Sequence, residues 1–342
     1  MIENINSLEI KKLRQRFVSD YKLPIQVLQS PFFEDRLEIF EKEFGAKTKY
    51  NNFIKLIDDT FDGKPQLFLE KYAEIREKII STIKESDAFK NFNNVDLSQF
   101  KVEFPKTSKT IYTEANTNED DNFFISFDLK KANYQAINWL DKSILLNTET
   151  YEEFIGKFTY LNYFKESKYI RQVIFGQFSP SRTVLIERYL IGKIYNFIKD
   201  NFKSFGEPFV VNSDEIIYNL SVKDFYEIDE NLLSNLGNTI QMELGLNVRI
   251  EKFKLHLHCF NFQDSAATLN VFEVESLNGN TLKCVPNIYA PQIYKLLNNE
   301  TPNESDRTFY YEHNLATLNN NLILNKKQEE KIEASKIDDL PF

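Results

Sequence analysis

Two short segments carry carboxylates inside apolar runs that would form strands. In Phe123-Phe124-Ile125-Ser126-Phe127-Asp128-Leu129 an acid closes a nearly continuous apolar stretch, the pattern of a strand covered on both faces. In Val211-Asn212-Ser213-Asp214-Glu215-Ile216-Ile217 an acidic pair stands in the middle of a second such stretch, which starts at Pro208 and ends near Leu220. Strand ends of one sheet can bring Asp128 and Asp214 together although they are far apart in the chain. Two such carboxylates suit Mg²⁺, which prefers a few carboxylate oxygens plus substrate phosphates, and a pair of metal ions clamps the attacking and leaving oxygens of nucleotidyl transfer. Between the two acids, Ser167-Lys168-Tyr169-Ile170-Arg171 places cations at helical spacing before Phe175-Gly176-Gln177-Phe178-Ser179-Pro180-Ser181-Arg182. A cationic helix facing the acids would neutralise triphosphate charge. Each acid alone is equally an ordinary strand-end acid, so the weight rests on the three segments in this order.

The elements that must position these residues are of two kinds. Residues 1–97 read as helical; FFEDRLEIFEKEFG and PQLFLEKYAEIREKIISTIKES repeat their apolar residues at three and four. The segment 107–122 is polar and turn-rich, a loop or joint. After the strand ending at Leu129, helical periodicity returns over 130–146 and again over 183–202. Asp229 or Asn231 can cap a helix that stops at Gly245. The run LNVRIEKFKLHLHCF then alternates apolar and polar residues as a strand does, and strand and turn signals continue to about Leu297. The fold class expected is therefore α+β, with a helical region over 1–97, a mixed domain over 98–297, and from 298 to 342 a polar tether read as disordered. With nine glycines and no Gly-rich phosphate loop, neither a Walker motif nor a dinucleotide fingerprint is present.

In this order the segments resemble the palm of the family A DNA polymerases, over roughly residues 100–260. In that family an Asp follows a buried strand, a fingers helix carries Arg and Lys before Phe-Gly, and His-Asp-Glu lies on a later strand. Asp128 matches the first acid, Arg171 stands where the Lys is expected, and Asp214-Glu215 match the second acidic pair. Ser213 replaces the His, Asn133 stands where the family has Glu, and Ser167 or Lys168 stands where the Arg is expected. Arg171 keeps the charge of Lys but not its proton-donor chemistry. The stretch between Gly176 and Asp214 is too short for complete fingers, and no segment resembles a proofreading nuclease. Gly176-Gln177-Phe178-Ser179-Pro180 and the compact spacing also echo a reverse transcriptase, but that class's paired aspartates are absent.

The resemblance implies an antiparallel sheet with helices on one face, and two functional readings. In the first, a palm without catalysis holds single-stranded DNA: Lys130, Lys131, Lys168, Arg171 and Arg182 meet phosphates, while Tyr134 and Phe178 stack on bases. In the second, a minimal template-directed DNA polymerase binds Mg²⁺ at Asp128 and Asp214, with Glu215 beside them. The damaged motifs favour binding, in which case no cofactor is needed.

The chain ends Asp338-Asp339-Leu340-Pro341-Phe342, which resembles the C-terminal tip of bacterial single-stranded-DNA-binding proteins. Pro341 stiffens the last bond, so the ring and the terminal carboxylate of Phe342 present together at a lower ordering cost. A partner needs an apolar pocket for the ring and basic residues for the carboxylates. Tip and palm together point to a bacteriophage replication protein that recruits host or phage replication proteins.

Bulk composition bounds this reading. A net charge of −9 means that any nucleic-acid site is a local basic patch, with Lys101, Lys106 and Lys109 a modest further cluster. Thirty-one Phe and 17 Tyr stand against one Trp; the rings are either a coding bias absorbed by the core or stacking platforms. Two cysteines, Cys259 and Cys284, indicate a reducing compartment, and neither a signal peptide nor a membrane-length apolar run is seen, so a cytoplasmic chain without membrane partners is expected. His256 and His258 share a strand face with Cys259 opposite; with only Cys284 and His313 in addition, they fall short of a zinc set.

Overall fold

A computed structural model describes residues 7–112, 122–263, 265–312 and 314–325. The expected tip, Asp338 to Phe342, and His313 lie outside the described residues. Six helices come first: α1 (Ser7–Tyr21), α2 (Phe32–Ile39), α3 (Glu41–Phe44), α4 (Ala46–Phe61), α5 (Pro65–Glu85) and α6 (Asp87–Asn94). The helical reading of the first ninety-odd residues thus holds. The chain divides into two compact units, however, and the boundary falls inside α5: residues 7–69 group with 255–325, and 70–112 with 122–254.

In the first unit, apolar spacing explains the helices. Phe53, Ile57 and Phe61 lie one turn apart on the buried face of α4. Phe17, Phe33, Phe40, Phe53 and Phe68 are almost wholly buried, and the ring of Phe53 lies 5.5 Å from that of Phe17 and 5.2 Å from that of Phe68. Much of the aromatic surplus is therefore core.

The second unit carries the acids. Its elements run β1 (Phe123–Leu129), α7 (Ala132–Leu140), α8 (Tyr151–Gly156), α9 (Asn162–Glu166), α10 (Lys168–Phe175), α11 (Pro180–Asn201), β2 (Val210–Val211), β3 (Glu215–Asn219), α12 (Val222–Glu227), α13 (Glu230–Leu244) and β4 (Val248–Phe262). The strand order is β2-β3-β1-β4, every pairing antiparallel. A strand, a helical crossover, a hairpin, a second crossover and a last strand give the split βαβ arrangement. Phe127 and Tyr218, from the two central strands, meet edge-to-face at 5.9 Å in its core.

The stretch from Pro208 to Leu220 is a hairpin rather than one strand. Asn212, Ser213 and Asp214 are turn formers, and the Asn212 N–H donates to the Glu215 carbonyl at 2.8 Å. The acidic pair therefore sits where the hairpin turns.

In the first unit, the later residues of β4 pair with β9 (Leu322–Leu324), and β5 (Thr268–Ser276) pairs with β6 (Gly279–Lys283). Helix α14 (Ala290–Leu297) follows, and β7 (Thr308–Tyr311) pairs with β8 (Asn314–Thr317). The tether expected from residue 298 thus contains paired strands up to residue 324. Leu322 is buried against Phe260, Val271 and Ile293, partners that a local reading of the sequence cannot supply. Among the described residues no helix is long and apolar enough to cross a membrane.

Candidate nucleic-acid interface

Register decides which side chains meet. On β1, Asp128 lies directly opposite Glu215 of β3 on one side and Arg249 of β4 on the other. Directly opposed residues project to the same face, and Ser126, two residues back, shares it. The Leu129 N–H donates to the Asp214 carbonyl at 2.8 Å, which holds the hairpin turn against the end of β1. Asp128, Asp214 and Glu215 are thereby gathered at one end of the sheet.

Their electrostatics follow from this crowding. Burial pushes the Asp128 carboxyl above its usual range; Arg249 pulls it back and Asp214 adds to the push. Glu215 is raised to about 7, by burial first and then by Asp128 and Asp214, while Arg249 and a hydrogen bond from Ser126 oppose the shift. Glu187 on α11 is also raised to about 7, by burial and by Asp214. Arg249 Nη2 pairs with Asp128 Oδ2 at 2.8 Å, and the Asp128 side chain remains 25% exposed.

Helix α10 brings cations to the same place. Ser167 caps it by accepting from the Ile170 N–H at 3.1 Å, and Ile170, Ile174 and Phe175 anchor its buried face. Lys168 and Arg171 both act on Asp128 electrostatically. The Arg171 guanidinium lies 5.8 Å from the centre of the Tyr151 ring, and its buried Nε has no hydrogen-bond partner among the described residues. Burial lowers its pKa, with Tyr151, Glu152 and Asp128 opposing. Lys131 pairs with Glu152 and stands 5.3 Å above the same Tyr151 ring. Lys130, beside it, forms no ion pair among the described residues.

Three of the expected contacts are placed elsewhere. Tyr134 is 3% exposed, and its hydroxyl is satisfied by the Thr148 carbonyl at 2.9 Å and the Thr148 hydroxyl at 3.0 Å. Phe178 is wholly buried against Phe89 and Phe175. Both rings are buried: Tyr134 lies on the inward face of α7, and Phe178 lies in the turn between α10 and α11, where its N–H donates to the Phe175 carbonyl at 3.0 Å. Arg182 donates through Nη2 to the carbonyls of Phe92 and Val95, satisfying the C-terminal end of α6 rather than reaching for phosphate.

No local signal in the sequence marks Arg249, Glu187 or Trp139 as a site residue. Arg249 lies in an alternating strand whose register no local signal sets, and Glu187 is one acid among many on a long helix. Trp139 is the chain's single tryptophan, and composition alone was its only flag. It lines a cleft of about 770 Å³ with Lys130, Lys131, Gln135, Lys142 and Asn247. A smaller cavity of about 260 Å³ shares Lys130, Gln241 and Asn247 with that cleft and reaches Arg249.

The carboxylates of Asp128 and Asp214 are donors of the right chemistry for Mg²⁺, but as arranged they do not fit it: the Arg249 guanidinium occupies one oxygen of Asp128. Among the described residues no three His, Cys, Asp or Glu side chains form a metal-holding group. On β4, His256 Nε2 contacts Glu275 at 2.5 Å and His258 Nε2 contacts Glu273 at 2.7 Å, pairing each imidazole across the strands. No protein-family model, curated protein or solved structure matches the chain.

Proposed function

We propose that the chain is a single-stranded-DNA-binding protein of DNA replication, built on a polymerase-like palm in its second unit. In this reading its C-terminal tip recruits host or phage replication proteins, and the chain belongs to a bacteriophage acting in the host cytoplasm. The observation that carries the proposal is the ion pair of Arg249 with Asp128 at 2.8 Å. The positive charge that a palm aspartate needs is supplied here by the chain itself. Glu215 and Glu187, both raised to about 7, add less negative charge near neutral pH than ordinary carboxylates would. A phosphate backbone approaching Lys168, Arg171 and Lys130 is therefore less repelled than the count of acids suggests. The family resemblance of the sequence and the split βαβ strand order support the palm.

A minimal template-directed polymerase is the second reading, favoured by the convergence of Asp128 with Asp214 and Glu215. Primer extension measured beside single-strand binding on one preparation separates the two. Binding without nucleotide incorporation is the expected result. Incorporation in the unmodified chain would move the assignment to the polymerase.

A further inference from the structure

We infer that Trp139 is a base-stacking platform at one end of the path taken by single-stranded nucleic acid. This rests on the binding function proposed above and adds to it the residue that holds a base. Trp139 sits at the C-terminal end of α7, where three partly exposed rings meet. Its ring centre lies 5.5 Å from that of Tyr189 and 5.9 Å from that of Phe100, and those two are 5.0 Å apart. Lys193 Nζ stands 5.7 Å from the centre of the Trp139 ring and 5.4 Å from that of Tyr189. Lys193 has no carboxylate partner among the described residues. A cation held over partly open rings is the pairing that single-strand sites use: the π face takes a base and the cation takes the adjoining phosphate.

The chain is built to keep this cluster in place. Phe100 reaches the cluster because the segment that follows lies directly on α11. A Cβ on Gly192 would come within 2.5 Å of the Val102 side chain, so only glycine permits that approach. The cleft gives the strand a route: Trp139 lines it, and it shares Lys130, Gln241 and Asn247 with the cavity lined by Arg249. Within the cleft three lysines face three acids, Asp141, Glu149 and Glu152. Lys142 is paired with Glu149 at 2.7 Å and Lys131 with Glu152. Charge inside the cleft therefore balances, so the base is held by stacking, and the phosphates by Lys193 at one end and by Lys130 and the α10 cations at the other.

A single tryptophan makes the test direct. Unlabelled oligothymidylate should quench the emission of the full-length protein saturably, since Trp139 is the only indole. In a separate anisotropy titration with labelled oligothymidylate, Trp139→Ala should weaken binding about five- to 150-fold, the effect of losing one stacked base. Trp139→Phe keeps a π face and should stay within about threefold of the unmodified chain. Lys193→Glu, which leaves the rings intact, should weaken binding and steepen no other property of the fold, as checked by an unchanged melting curve. If the unmodified chain binds oligothymidylate while its emission stays constant, and Trp139→Ala binds as well as the parent, the stacking assignment is wrong and the binding function stands. If the unmodified chain binds no oligothymidylate, both are overturned.

Discussion

Arg249 Nη2 lies 2.8 Å from Oδ2 of Asp128, directly across the β1–β4 ladder. Half-exposed ion pairs add little to stability, so replacing Arg249 by Ala should lower the unfolding free energy by about 1 kcal/mol or less. It should weaken single-strand binding more visibly, on the order of fivefold, because an unpaired Asp128 then faces the phosphates. Paired melting curves and anisotropy titrations check both. A large stability loss with unchanged affinity would make the ion pair a fold element only.

Changing both Asp128 and Asp214 to Asn removes negative charge from the sheet end. Single-strand affinity should hold or rise slightly, as repulsion of the phosphates is relieved. The same variant is the control for primer extension: incorporation present in the parent and lost in the variant would establish the polymerase.

Glu215 and Glu187 set a pH dependence whose sign is fixed. Both are raised in the folded chain to about 7 from an ordinary 4.5, so the folded state binds more protons than the unfolded one between those values. Stability should therefore fall as pH rises through that window, and single-strand affinity should fall with it as two charges appear near the site. Glu187→Gln with Glu215→Gln should flatten both profiles and raise the melting temperature at about pH 8 relative to the parent. A parent melting temperature that rises steadily from about pH 5 to about pH 8 would contradict this.

In the proposed tip contact, deleting Phe342 removes the aromatic anchor that a partner would bury. Loss of a buried aromatic anchor in a small interface costs about 2–4 kcal/mol, or a thirty- to thousand-fold loss of partner affinity. A pull-down of replication proteins with full-length and shortened chains should therefore lose its partner while the melting curve stays in place. An unchanged set of partners would show that the tip is idle.

Local signals in the sequence were legible where one segment decides its own fate. The apolar run Phe123–Leu129 is β1, and α13 is capped by Asp229 Oδ1 on the Leu232 N–H at 2.8 Å and closed by Gly245 at φ 68°. The meeting of Asp128 with Asp214 was also legible, because strand ends of one sheet share an edge. Register was not: that Arg249 faces Asp128 depends on how β4 slides along β1, and a shift of one residue would turn Arg249 to the other face. Nor was the burial of Tyr134 and Phe178 legible: helical spacing around Tyr134 marks an apolar face without saying that it is closed to a ligand, and Phe178 lies in the turn between α10 and α11, where no periodicity applies. β9 escaped because Leu322–Leu324 is short and gains its strand character from Phe260–Phe262.

In the proposed function a local cationic site holds single-stranded DNA on a chain of net charge −9. A titration of matched single-stranded and duplex oligonucleotides with the full-length protein across a salt series tests this. Single strands should bind more tightly than duplex, and log affinity should fall against log salt with a slope of about −2 to −4, as expected when three to five phosphates are neutralised. Equal or tighter binding to duplex, or an affinity for single strands indifferent to salt, would contradict it.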